Sequence, residues 1–301
     1  MFLNNTYENV TFASMNTKKK HQQGFSVPVW LRLMFKNLER LSPYLAMRAA
    51  AYIFSTPIKF SIPEKEKKAL ANCIQERVRI PSIDREIFTF TWKNSGEKVL
   101  LAHGWSGRGT QLYRIAETLQ KEGYHVVSYD APAHGKSSGK TTNILQMIAT
   151  ISHLDDQYHG FDYLIGHSFG GMAIFNYCKT PRYTKKIITL GAADNMHTIF
   201  GNYILSVGLS QKTLVLMTTY FEKKFNVKID DFSPFKAAQD LQTPTLILHD
   251  EEDYDVSVGS ADNIAAHHPN ATLIKTKGLG HRRILRDENV LQHIKSFIEQ
   301  S

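Results

Sequence analysis

A chain of 301 residues with 42% apolar and 11% aromatic side chains is long and apolar enough to bury a large core, which excludes general disorder. Its two cysteines, Cys73 and Cys178, cannot make a disulfide framework and stand in no metal-ligand spacing, which points to a reduced, cytoplasmic protein with free thiols. The net charge of +8 comes from dispersed lysines and arginines with no aromatic-and-basic readout pattern, so it is read as serving solubility, and no nucleic-acid partner is expected.

Residues 1–24 are polar, lack the apolar run of a signal peptide, and read as a flexible tail. A helical extension is expected over 25–75. From Pro28 to Ser55 apolar residues recur at helical spacing; Pro43 should split the stretch into two helices and Pro57 should end the second. Such an amphipathic pair packs on its parent domain more often than it lies on a membrane surface, and packing is the favoured reading. A charged helix follows from Glu64 to Gln75.

The pattern then changes to strands. Arg77 to Ile80 and Glu86 to Trp92 alternate around Pro81-Ser82 and read as an antiparallel hairpin. Short apolar runs at Val99–His103, His125–Tyr129, Tyr163–Gly166, Ile187–Leu190, Thr245–His249 and Thr272–Lys275 are separated by helical segments. That alternation predicts an α/β fold, with a mostly parallel central sheet covered by helices on both faces. The interval between Leu190 and Thr245 is too long for a plain crossover and is helically patterned from His197 to Ser206 and from Gln211 to Phe225. The expected organisation is a core over 76–193 and 241–301, with a small helical cap inserted at 194–240.

The strongest chemical signal is Gly166-His167-Ser168-Phe169-Gly170, which directly follows an apolar strand and directly precedes the helical run Met172–Cys178. A serine on so sharp a strand-to-helix turn has a strained backbone and crowded neighbours; the flanking glycines relieve the crowding and leave the hydroxyl exposed above the sheet. A serine hydroxyl is a poor nucleophile until a base takes its proton, and that base needs an orienting group. Of the thirteen histidines, His281 in Gly278-Leu279-Gly280-His281 sits in a glycine-flanked loop just past the last strand and is the candidate base. The acid comes from the run Asp250-Glu251-Glu252-Asp253-Tyr254-Asp255; Asp253 is preferred, with Asp250 and Asp255 as near rivals and Asp194 as another sensible position. Acyl transfer also needs donors aimed at the developing oxyanion, and the N–H groups of Phe169 and of Trp105, in His103-Gly104-Trp105-Ser106-Gly107-Arg108-Gly109, fit that role.

Other motifs fall away. Gly139-Lys140-Thr141 lacks the earlier glycine of a phosphate loop, having His134 there; Gly107-x-Gly109 lacks its third glycine, having Leu112. His153, His159 and His267-His268 have no metal-ligand spacing, and no cofactor is expected.

The set HGWSGRG, YDAPAHGKSSG, GHSFGG, HDEEDYDV and GLGHRRIL resembles bacterial α/β-hydrolases of the serine esterase/lipase type, over roughly residues 97 to 300, and the N-terminal helices resemble an extension in one branch of them. The resemblance implies Ser168 as nucleophile, Asp253 as acid and His281 as base, with Trp105 and Phe169 as the oxyanion hole. One departure is Asp250, where many relatives carry Gly. The expected function is hydrolysis of a small-molecule ester or related acyl bond through an acyl-enzyme, beneath an apolar roof of Phe200, Tyr203, Ile204, Leu205 and Leu209. The alternatives are a membrane-surface lipid hydrolase anchored by the N-terminal helices, and a hydrolase-fold ligand-binding protein without catalysis.

Overall fold

The computed structural model describes residues 27–300, so the tail expected over 1–24 lies outside the described residues. Two helices, α1 (Val29–Leu41) and α2 (Pro43–Phe54), come first. The break between them follows from Pro43, which has no N–H to give and therefore sits at the first position of α2, where none is needed. Ser42 caps the new helix by accepting the Leu45 N–H at 3.3 Å. The charged helix is shorter than its sequence pattern predicts: α3 spans Glu64–Leu70 only. Ile74 and Gln75 belong instead to β1 (Ile74–Ile80), where they pair with Thr91 and Phe90. Cross-strand pairing has overridden a local helical preference.

The rest of the chain alternates strands and helices: β2 (Arg85–Trp92), β3 (Lys98–Ala102), α4 (Tyr113–Lys121), β4 (His125–Asp130), α5 (Ile144–Gln157), β5 (Tyr163–His167), α6 (Phe169–Tyr177) and β6 (Lys186–Leu190). Next come α7 (Met196–Ser206), α8 (Gln211–Phe225), α9 (Pro234–Gln239), β7 (Thr245–Asp250), α10 (Gly259–His267), β8 (Ala271–Thr276), α11 (Gly280–Arg283) and α12 (Glu288–Glu299). The eight strands form one sheet in the order β1-β2-β4-β3-β5-β6-β7-β8. β2 is antiparallel to both β1 and β4, and every pairing from β4 to β8 is parallel.

Parallel strands buried on both faces read as continuous apolar runs because alternate side chains serve different cores. Leu100, Leu164, Ile187 and Ile247 point into the larger core with α5, α6 and α10; Leu101, Ile165, Ile188 and Leu246 point into the other with α4 and α12. The C-terminal ends of β3, β5, β6 and β7 therefore line up along one edge of the sheet. In open α/β sheets, that edge is where ligands bind.

The N-terminal helices join the larger core through Phe35, Ala46, Met47, Ala50 and Ala51. They reach it by packing on α7 and α8. Tyr203 Oη donates to the Ala50 carbonyl at 2.8 Å, Arg32 Nε donates to the Ser206 carbonyl at 2.8 Å, and Glu39 accepts from Ser210 and Thr213. Among the described residues, no helix is long and apolar enough to cross a membrane.

Candidate active site

Ser168 stands between β5 and α6 with φ +53° and ψ −120°, a conformation that non-glycine residues avoid. The turn closes because its neighbours are glycines: a Cβ on Gly166 would lie 2.6 Å from the Gly171 backbone, and one on Gly170 would lie 2.2 Å from the Ala102 carbonyl oxygen. The Ser168 N–H is tied to the Leu190 carbonyl at 2.8 Å, which fixes the elbow against β6.

His281 and Asp253 meet. The His281 Nδ1–H donates to Asp253 Oδ2 at 2.6 Å, and the other carboxylate oxygen accepts the N–H groups of Asp255 and Val256 at 2.9 and 2.8 Å. Burial alone would raise the Asp253 carboxyl, but hydrogen bonding from His249 and His281 outweighs it and holds the group far below the ordinary carboxylate range. His249 lies fully buried beneath, its Nε2 at 2.9 Å from the Val256 carbonyl and 3.5 Å from Asp253 Oδ2.

The rival acids are engaged elsewhere. Asp250 is fully buried and receives the Leu279 and Gly280 N–H groups of the loop that carries His281 at 3.0 and 2.8 Å, the Thr276 hydroxyl at the end of β8 at 2.8 Å and the Glu252 N–H of its own loop at 3.0 Å. It clamps the histidine loop to the end of β7. Asp194 accepts from Ser260 and Asn263 of α10 at 2.8 and 2.6 Å. Asp255 is exposed and contributes its N–H to Asp253.

The loop after β3 approaches the serine closely: a Cβ on Gly104 would stand 2.8 Å from Ser168 Cβ. No hydrogen bond among the described residues uses the N–H of Trp105 or Phe169, which leaves both able to meet an external acceptor. The Trp105 indole stands edge-on to the Phe169 ring at 5.5 Å.

Three buried histidines position this loop and the elbow. His103 Nε2 accepts the Ala131 N–H at 2.9 Å and its Nδ1–H donates to the Gly104 carbonyl at 2.7 Å. His134 Nε2 accepts the Ser106 N–H at 3.1 Å while its Nδ1–H donates to the Pro132 carbonyl at 3.0 Å. His167 Nε2–H donates to the His281 carbonyl at 2.9 Å, and the two rings lie 4.6 Å apart. Burial pushes His103 down to about 4 and His134 and His167 down to about 3, so all three act as neutral imidazoles. Farther back, Glu66 of α3 makes a buried two-pronged bridge to Arg108 at 2.7 and 2.8 Å and accepts the Thr110 hydroxyl at 2.8 Å. Sequence reasoning gave these residues no part, because the partners they hold lie in other loops.

Over Ser168 opens a cavity of about 850 Å³, bounded by the elbow, by Trp105 and by α7 and α8. Phe200, Tyr203 and Leu205 line it as the sequence predicts, whereas Ile204 and Leu209 are buried in the packing behind. A contribution unforeseen in the sequence is Phe54 of α2, whose ring lies 5.0 Å from Phe200, 4.9 Å from Tyr203 and 6.2 Å from both Phe221 and Trp105. The lining is largely aromatic and aliphatic around Ser168, with Arg32, Asp194 and Asp255 among its polar residues, and has room for an apolar acyl or aromatic group.

A family model described as the α/β hydrolase fold matches residues 98–206. Among solved structures, the chain is similar to an esterase from Exiguobacterium antarcticum, with 16% identity, 75% of this chain and 100% of that one covered, and a TM-score of 0.61. It is also similar to a bromoperoxidase from Bacillus anthracis, with 18% identity, 75% and 100% covered, and a TM-score of 0.60. A third likeness is to a membrane phospholipase A, a bacterial virulence factor, with 16% identity, 90% and 96% covered, and a TM-score of 0.59. No curated protein matches the chain. These likenesses establish the α/β-hydrolase fold.

Proposed function

We propose that this chain, which has the α/β-hydrolase fold, is a serine hydrolase that cleaves a carboxylic ester or a related acyl bond. The observation that carries the reading is the 2.6 Å contact of His281 with the buried Asp253, in a loop that the His167 hydrogen bond to the His281 carbonyl ties to the strained elbow of Ser168. Esterase and phospholipase names among proteins of the same fold support it, and the bromoperoxidase among them is a reason to rest it on residues.

In the proposed reaction, His281 Nε2 takes the Ser168 proton as Oγ bonds to the acyl carbon. The carbonyl oxygen, now carrying the displaced electron pair, accepts from the Trp105 and Phe169 N–H groups. Collapse of this intermediate breaks the bond to the leaving oxygen, which receives the proton from His281. Water, deprotonated by His281, then releases the acid and restores Ser168. Asp253 holds the ring so that Nε2 faces the serine and stabilises the imidazolium in between.

The test is covalent labelling by a fluorophosphonate together with hydrolysis of a panel of nitrophenyl esters. Wild type should label and turn over, while Ser168→Ala should not label and should keep at most a residual rate on the order of 10³–10⁴ above water. A wild-type chain that fails to label, or a variant that labels equally, overturns the reading.

A further inference from the structure

We propose that the outer face of α1 and α2 docks on a lipid surface bearing anionic headgroups, and that the acyl compound entering the cavity is drawn from that surface. The proposal deepens the hydrolase reading and rests on it for the substrate, but the docking is carried by separate observations.

The first is the apolar face itself. While Phe35, Met47 and Ala50 face the core, the opposite side of the same two helices presents Val29, Trp30, Leu33, Leu41, Tyr44 and Leu45 to solvent. Leu41 is 85% exposed, Trp30 67% and Leu33 56%. Single exposed apolar residues need no explanation, but a contiguous set on one helix pair marks a binding surface.

Charge then selects the occupant. Between residues 27 and 60 the cations are Arg32, Lys36, Arg40, Arg48 and Lys59, and the sole acid is Glu39. That carboxylate is already taken by Ser210 and Thr213 of the cap. Next to Tyr44, α8 adds Lys223 and Lys224 around a shallow groove of about 410 Å³ that Tyr220 also lines. An apolar face with interfacial Trp and Tyr, on a segment with five cations against one acid, matches a membrane interface with anionic headgroups. A second copy of this chain would bring the same cations against one another.

The third observation is continuity with the cavity. Val27 and Arg32 line it, as do Leu205 and Ser206, and the Arg32–Ser206 hydrogen bond joins α1 to α7 at this rim. Leu205 is 37% exposed, so apolar surface stands beside the Arg32–Ser206 contact at this rim. A chain that leaves a lipid layer here passes Val27 and Leu205 on its way into the cavity. The ligand class that fits is an acyl lipid.

The experiment is co-sedimentation of the full chain with vesicles of phosphatidylcholine alone and of phosphatidylcholine with about 30% phosphatidylglycerol. Wild type should partition to the anionic vesicles at least about tenfold more strongly than to the neutral ones, and raised salt should weaken it. The double variant Trp30→Ser/Leu33→Ser, which touches neither cavity nor elbow, should lose at least about tenfold of that partition and keep wild-type hydrolysis of a soluble nitrophenyl ester. Equal partition of variant and wild type overturns the proposal, as does a wild type that ignores both vesicles. In the latter case a dimer in sedimentation assigns the face to a second copy, and a monomer assigns it to the chain's own residues 1–26. Partition without ester hydrolysis would overturn the hydrolase reading and leave the docking surface standing.

Discussion

Asp250 and Asp253 leave the end of the same strand, and their hydrogen bonds give them different work. Asp253 accepts from the His281 ring; Asp250 accepts from the backbone of the loop in which that ring is carried. Asp253→Asn should therefore lower kcat by on the order of 10³–10⁴ through the wrong imidazole tautomer, at temperatures where the variant is still fully folded. Asp250→Asn should lower melting temperature and activity together, because several donors of the loop lose a charged acceptor. Steady-state kinetics and thermal melts of both variants check this, and matching behaviour of the two would sink the division. The turn at Ser168 and the loop of His281 were legible in the sequence because the glycines around them are local marks. The sequence preferred Asp253 but left Asp250, Asp255 and Asp194 open, since the carboxylates of one run differ only in what lies opposite each one.

At the scale of elements, the charged helix α3 gains its importance from one contact. Glu66 reaches across to Arg108 in the loop that carries Trp105, and both side chains are buried. Removing one partner leaves a buried charge uncompensated, so Arg108→Met should cost about 3–5 kcal/mol, and loosening of the Trp105 loop should reduce activity as well. Urea unfolding measures the first effect; a loss under about 1 kcal/mol would show the pair to be unimportant. The strands were legible nearly residue for residue because buried parallel strands are continuous apolar runs. Helix α3 was overextended because Ile74 and Gln75 obey a partner strand, and a window of local sequence does not contain Thr91 or Phe90.

Across the whole molecule, stability should depend on acid through the three neutral histidines. His103, His134 and His167 lie below the ordinary imidazole value of 6.5 when folded, so the unfolded chain binds more protons between the two values. Their contribution is complete above about pH 6.5 and is lost as pH falls through about 4 and 3. Melting temperature should fall over that range, and His134→Gln should flatten the slope; a slope unchanged by that variant would exclude this source. Sheet order was beyond the sequence, because which strand lies beside which is decided by long crossovers. So was the part of α2 in the roof, where Phe54 joins residues 29–54 to residues 196–225. That junction sets a timetable for synthesis. A ribosome adding about 5–20 residues per second exposes the buried sides of α1 and α2 for roughly ten to thirty seconds before α7 and α8 exist to cover them. Through that interval the nascent chain offers Phe35 and Met47 to any chaperone in reach, and every residue of the roof is made before Asp253 and His281.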